Sequence, residues 1–288
     1  MRIKYYLIII LSLCVTTLLG SCTKAKEESD FVVTIAPIKH IVEQITCGDF
    51  SISVLVPQGA SPETFEPTPK QVADLNDAKL VFSTGLIEFE RSLLEQANKG
   101  NNIVNLSQDI ELIEGHCSHA HHHGHHHSID PHIWTSPRRV KQMAQNAYNA
   151  IMELYPDSVK YTVAYNDLCQ RLDALDAQCE QMITQSNTEA FVIYHPALTY
   201  YAQDYNIEQI AIEHEGKEPS AKHIATIIDR SRNLGVKNIL YQSEFPKSVV
   251  EVIANDIGVK AVEISPLEEN IEKNILAITE AITGVKTE

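Results

Sequence analysis

Short apolar runs alternate with stretches of helical spacing over most of this chain. Phe31–Ala36, Ser51–Val56, Leu80–Thr84 and Asn102–Leu106 each have the length and apolar content of a buried strand. Helical segments lie between them, from Pro37 to Ile45, from Pro69 to Ala78 and from about Glu88 to Asn98. The rhythm returns late in the chain. Strands are expected at Ala190–Tyr194, Glu208–Ile212, Asn238–Tyr241 and Val259–Ile264. Helices are expected through Tyr205, over Pro219–Leu234, over Pro246–Ile257 and over Glu268–Ile282. Alternation of this kind makes parallel sheets with helices on their faces. The predicted fold is therefore α/β, with two lobes, each a mostly parallel four-stranded sheet flanked by helices.

A different period separates the halves. Tyr161, Tyr165, Leu168, Leu172, Leu175, Cys179 and Met182 recur at alternating steps of four and three, with no Gly or Pro among them. That stripe predicts one long helix of roughly 30 residues, about 45 Å end to end. A coiled coil has the same signature; a position between two α/β halves favours an intramolecular helix that joins them stiffly. The expected boundaries are an N-terminal lobe over 31–156, a linking helix over 157–186 and a C-terminal lobe over 187–288.

The first residues have another character. Arg2 and Lys4 precede the apolar run Tyr5–Leu13, and Leu19-Gly-Ser-Cys22 follows at the spacing of a bacterial lipobox. The segment is too short for a spanning helix. Residues 1–21 are read as a lipoprotein signal peptide, Cys22 as the lipidated new N-terminus, and 22–30 as a polar tether. A plain secretory signal is the alternative. Cleavage removes the two basic residues and no acid, so the formal charge of −15 becomes −17. Such an acidic domain is a poor partner for nucleic acid and suits cations. Cys47, Cys117, Cys169 and Cys179 form no C-x-x-C pair and imply no disulfide framework.

Candidate chemistry is concentrated between Gly115 and Trp134. Of the 13 histidines, eight fall there within one loop: His116, His119, His121, His122, His123, His125, His126 and His127. Neutral imidazole is a ligand for zinc and other divalent transition metals, and polar rings spaced by Gly and Ser bury nothing. The run is internal and interrupted by Gly124, unlike a purification tag. It reads as a low-affinity, metal-gathering loop beside a separate ordered site.

Ligands of open α/β sheets bind beyond the carboxyl ends of the strands. Glu63 follows the second strand, His195 ends the first strand of the second half, and Glu244 follows its third; His132 lies just past the histidine loop in Asp130-Pro-His-Ile-Trp134. Any one of them could be a cap or a satisfied surface group. Together, buried imidazole and carboxylate from both halves need a common cation to offset their desolvation.

These segments carry a family resemblance. Gly59-Ala-Ser-Pro-Glu-Thr-Phe-Glu-Pro-Thr-Pro69, the histidine loop, Asp130-Pro-His-Ile-Trp134, Tyr194-His195-Pro-Ala197, Glu218-Pro-Ser-Ala221 and Tyr241-Gln-Ser-Glu244, in that order, resemble the substrate-binding lipoproteins of zinc and manganese ABC importers. The resemblance spans nearly all of 31–288. It implies two α/β lobes on a rigid backbone helix, metal held between them, delivery to a membrane permease, and no catalysis. A lipid-anchored, extracytoplasmic monomer is expected.

Carried over residue by residue, it makes His132 and His195 metal ligands. The family usually has His where Glu63 stands, so Glu63 is an altered first ligand. Many members place an Asp near Ser265, leaving the fourth position here to water, Glu244 or Glu263. Two histidines with carboxylate admit manganese or iron, while the histidine loop favours zinc, which is the expected ion. A zinc hydrolase would use the same two-His, one-carboxylate set, but the chain has no His-Glu-x-x-His pattern.

Overall fold

The computed structural model describes residues 29–96, 102–115, 128–213 and 219–287. The expected signal peptide over 1–21, Cys22 and most of the expected tether, Cys117, the eight loop histidines and Glu218 lie outside those residues.

The first half folds as β1 (Phe31–Val33), α1 (Ala36–Thr46), β2 (Ile52–Val54), α2 (Pro69–Asp77), β3 (Leu80–Ser83), α3 (Glu88–Gln96) and β4 (Ile103–Asn105). Its four strands are all parallel, in the order β2-β1-β3-β4. The second half folds as β7 (Ala190–Ile193), α6 (Thr199–Asp204), β8 (Glu208–Ala211), α7 (Ala221–Asn233), β9 (Asn238–Gln242), α8 (Lys247–Ile257), β10 (Lys260–Ile264) and α9 (Ile271–Thr283). Its sheet, again all parallel, has the order β10-β9-β7-β8. Counted from the first strand of each half, the two orders are the same. The chain thus builds one topology twice, and each sheet has its switch point between its first and third strands.

The strands occupy the predicted runs and most are shorter, while β9 extends one residue further, to Gln242. Leu55 and Val56 leave the β2 ladder while remaining buried, their amides still donating to Val33 and Thr34 carbonyls. A small antiparallel pair, β5 (Glu114–Gly115) with β6 (Ser128–Ile129), closes the base of the histidine loop. A 3-10 turn over Ile133–Thr135 follows His132.

Periodicity reading passed over one long helix, α4 (Pro137–Leu154). Its inner face is Val140, Met143, Ala144, Ala147 and Ile151. The spacing is helical, and Ser136-Pro137 is a start signal. Two alanines make the stripe weakly apolar, because close packing against the next helix leaves no room for larger side chains.

That neighbour is α5 (Val159–Ser186), the predicted linking helix, 28 residues long. Ser158 caps its amino end and Asn187, in the left-handed region, its carboxyl end. Six of the seven predicted stripe positions are buried. Tyr165 is half-buried, stacked on Tyr148 with its hydroxyl donating to Gln145. α5 packs on α1 and α4 on one side and on α9 on the other. One apolar core therefore runs unbroken from Phe31 and Phe82 through Leu168 and Leu172 to Tyr201 and Ile275, and a smaller core lies in the second half around Ile239 and Ile253. Leu172 is 1% exposed at the middle of this span. Leu172→Ala is expected to lower stability by about 2–5 kcal/mol through the cavity it leaves, read as a lower urea midpoint; an unchanged midpoint would mean that the lobes fold without the shared core.

Polar ties also cross between the halves. Arg139 pairs with Asp204 at 2.7 Å and Lys39 with Glu269 at 2.9 Å, and Glu272 meets His40 at 3.0 Å as well as Arg171 of α5 at 2.8 Å. Trp134 Nε1 donates to the Pro266 carbonyl at 3.0 Å. Shared core and ties oppose hinge motion, since opening the lobes would expose apolar area and unpaired charge together. Among the described residues, no helix is long and apolar enough to cross a membrane.

Candidate metal centre

Both sheets point the carboxyl ends of their strands at one cleft. Glu63 stands in the loop between β2 and α2. That loop turns at Gly59, whose φ of +81° suits a residue without Cβ. It ends where Thr68 and Gln71 form a capping box ahead of Pro69. Phe65 meets Phe89 edge to face at 5.1 Å and seats the loop on α3. His195 lies two residues past β7, and its main chain is pinned by Gln242 at the end of β9. The Gln242 side chain accepts from His195 N at 3.3 Å and donates to His195 O at 3.0 Å. His195 thus lies just past a strand end and Glu63 in a loop that leaves one, both on the carboxyl side where ligands of open sheets bind. His132 arrives differently, after β6, at the start of the 3-10 turn.

The structure brings Glu63, His132 and His195 together: one ligand atom from each lies within 4.8 Å of the others. His132 is 5% and His195 6% exposed, and the two rings meet edge to face at 5.4 Å. Phe245 lies flat against His195, its ring centre 5.4 Å away. Ser61, Pro62, Trp134, Ala197, Gln242, Glu244, Pro266 and Leu267 complete the lining of a space of about 30 Å³. That is room for an ion and about one water.

Each histidine is oriented by a carboxylate behind it. His132 Nδ1 faces Asp130 Oδ1 at 2.9 Å, and the same oxygen accepts from His132 N at 2.9 Å. Nδ1 bears the hydrogen in that arrangement, so Nε2 presents its lone pair to the cleft. Asp130 is 2% exposed. Burial works against its charge, but the facing His132 ring and its hydrogen bonds outweigh burial and hold its pKa below the usual value. His195 Nδ1 faces Glu213 Oε1 at 2.9 Å, and its Nε2 faces Glu63 Oε1 at 2.9 Å. Burial disfavours imidazolium at His195. The two carboxylates more than reverse that and push the pKa up to about 10. A proton on Nε2 holds the Glu63 carboxylate against the ring.

Of the other candidates, Glu244 lines the cleft rim, where its carboxylate accepts from Ser243 Oγ at 3.4 Å; it falls outside the three-residue set. Glu263 accepts from the Tyr241 hydroxyl at 3.2 Å and does not line the cleft. Beside Ser265, near which many members of the family carry an Asp, Pro266 and Leu267 line the cleft. Two residues went unassigned in the sequence. Asp130 sat in a quoted motif, two places before His132. Glu213 follows β8, the neighbour of β7, and the strand-end rule that found His195 points to it equally.

A family model described as zinc-uptake complex component A, periplasmic (ZnuA), matches residues 31–282. The zinc-binding protein AdcA of Streptococcus pyogenes serotype M3 is 29% identical over 270 residues, 85% of this chain and 52% of its own length. The zinc-binding lipoprotein AdcA of Streptococcus pneumoniae serotype 4 is 27% identical over 285 residues, 94% of this chain and 56% of its own. The chain thus spans about half the length of these curated relatives. A crystal structure of ZnuA superimposes with a TM-score of 0.79 at 30% identity, covering 91% of this chain and all of that one. With the family model covering both sheets and all three clustered residues, the chain belongs to the ZnuA family of periplasmic zinc-uptake components.

Proposed function

We propose that this protein is an extracytoplasmic receptor that takes one zinc ion into the inter-lobe cleft and delivers it to the membrane permease of an ABC importer. One observation carries the reading: Glu63, His132 and His195 converge from separate segments, with Asp130 and Glu213 behind the two rings. Three carboxylates around two imidazoles make a pocket that draws a dication and is costly to leave without a positive charge. Glu63 Oε1 and the two Nε2 atoms supply three ligands, and water takes the fourth place, as zinc tolerates. Manganese and iron favour more oxygen ligands, whereas two of the three clustered side chains are imidazoles and Phe245, Pro266 and Leu267 line much of the cleft. The names of the streptococcal relatives agree with zinc.

The lipobox at Cys22 and the lipoprotein name of the pneumococcal relative support a lipid anchor outside the cytoplasm. The same ligand set serves zinc hydrolases, but Asp130 and Glu213 are both engaged by histidine, which leaves no buried carboxylate in the cleft to act as base. We therefore read the protein as a carrier without catalysis. The eight loop histidines serve as a weak collector.

Metal analysis of untagged protein, with competition against a chelator, tests this. One equivalent of tightly held zinc is expected, and it should survive deletion of residues 116–127. Glu63→Gln should weaken zinc by about 10- to 100-fold, a loss at least as large as that of an orienting residue. Glu63→His should instead sharpen the preference for zinc over manganese. Unchanged zinc affinity in both variants would remove Glu63 from the ligand set.

A further inference from the structure

The base of the histidine loop is closed by a side chain from the other lobe. Asp130 N donates to the Ile113 carbonyl at 2.9 Å, continuing the β5–β6 ladder by one step. The return bond, Ile113 N to Asp130 O, is not made directly. The Tyr200 hydroxyl stands between them, accepting from Ile113 N at 3.3 Å and donating to Asp130 O at 2.8 Å. Tyr200 belongs to α6 and is wholly buried, with Arg139 over its ring at 5.7 Å. Burial also keeps the phenol protonated, its pKa pushed up to about 12, so it remains a donor. Its neighbour Thr199 reaches the Asp130 carboxylate from the same turn. The fit is tight from the other side too, because a Cβ on Gly115 would stand 3.0 Å from Asp130 N.

We infer that Tyr200, which touches no metal, is a positioning residue for His132: its hydroxyl fixes the Asp130 main chain and thereby the angle at which His132 meets the ion. The inference rests on the reading of Glu63, His132 and His195 as ligands. Asp130 aims the His132 ring through Oδ1, so whatever sets Asp130 sets Nε2. Thr199 and Tyr200 follow His195 within five residues. One short segment of the second half therefore carries one histidine and aims the other. The two imidazoles form a single unit, which leaves Glu63, on its own loop, as the ligand able to move alone. Tyr200→Phe keeps the ring and removes the bridge. The orphaned Ile113 N–H and Asp130 carbonyl then close on each other or draw in water, and Asp130 shifts in either case.

The test compares full-length Tyr200→Phe with Tyr201→Phe, whose hydroxyl is equally buried but bonds Thr279 at 2.7 Å, away from the hairpin. Zinc affinity is read by chelator competition, and the site geometry by the visible spectrum of the cobalt-loaded protein. Tyr200→Phe should bind zinc about 10- to 100-fold more weakly with a changed cobalt spectrum, while Tyr201→Phe changes neither. Gly115→Ala, which presses on Asp130 from the opposite side, should reproduce the spectral change. Wild-type affinity and spectrum in Tyr200→Phe would overturn the inference and leave the ligand assignment standing. Equal weakening in both tyrosine variants would reduce Tyr200 to packing and overturn it as well. If wild-type protein itself held no zinc tightly, the ligand assignment would fail first, and this inference with it.

Discussion

Replacing His195 with alanine is expected to weaken zinc binding by about three orders of magnitude, roughly 4 kcal/mol. The variant loses one of three protein ligands, a larger change than the 10- to 100-fold typical of residues behind the ligands. It also leaves Glu63 and Glu213 without the ring that separates them, since each lies 2.9 Å from a different nitrogen of His195. Glu213 keeps a side-chain exposure of only 11% in the intact site, so its charge would lose a partner it cannot replace with much water. His195→Gln is the companion variant, because it retains a polar group in contact with the carboxylates while removing the imidazole. Both should be measured with residues 116–127 deleted, so that weak loop sites do not mask the tight one. Wild-type affinity in His195→Ala would remove His195 from the centre and end the proposed mode of binding.

Sequence patterning sufficed for the fold where residues are buried on both faces. Parallel strands such as Phe31–Val33 and Phe191–Ile193 read as unbroken apolar runs because helices cover both sides of each sheet. The stripe of α5 was legible because one face alone is apolar over about six turns. α4 escaped because its contact face is built from Ala144 and Ala147 as much as from Val140 and Ile151. The site divided along similar lines. His195 lies just past a strand end and Glu63 in the loop leaving another, on the side where a general rule finds ligands. The roles of Asp130 and Glu213 depend on which ring nitrogen each one faces, and no linear pattern records that. The hydroxyl of Tyr200 joins residues 87 and 70 positions away, a relation that only the packed halves create.

The repeated topology explains why these particular residues meet. In each half the first and third strands adjoin at the switch point, and the loops leaving their carboxyl ends are pushed to opposite sides, opening a crevice there. In the first half, Glu90 fills that crevice. Wholly buried, its carboxylate accepts from the hydroxyls of Thr34 and Thr84 and from the amides of Leu86 and Ile87. In the second half the crevice is held by Gln242 on the main chain of His195. One switch point is locked into structure and the other presents His195. The first half then brings its members of the cluster from elsewhere: Glu63 from the β2 loop and His132 from the end of the hairpin.

Zinc binding should release a proton over a wide range of pH. In the metal-free site the pKa of His195 is pushed up to about 10, against 6.5 for an ordinary imidazole. Proton and zinc compete for the same Nε2 lone pair, so below about 10 each bound ion displaces one proton at this residue. Affinity should accordingly rise about tenfold per pH unit from pH 6 to pH 9, roughly a thousandfold in all. An unperturbed imidazole would level off above about pH 7. The stability of the stripped protein runs the other way. A group whose folded pKa is raised stabilises fully below its unfolded value near 6.5, and that contribution is lost as pH climbs through about 10. Metal-free protein should therefore lose thermal stability between pH 7 and pH 10, while zinc-loaded protein, with no proton on that nitrogen, should not show that loss. Calorimetric titration at pH 8 in two buffers of different ionisation enthalpy counts the protons directly. About one per zinc is expected from His195; none would mean that the free site already holds His195 neutral and that Glu63 is kept in place by something other than that proton.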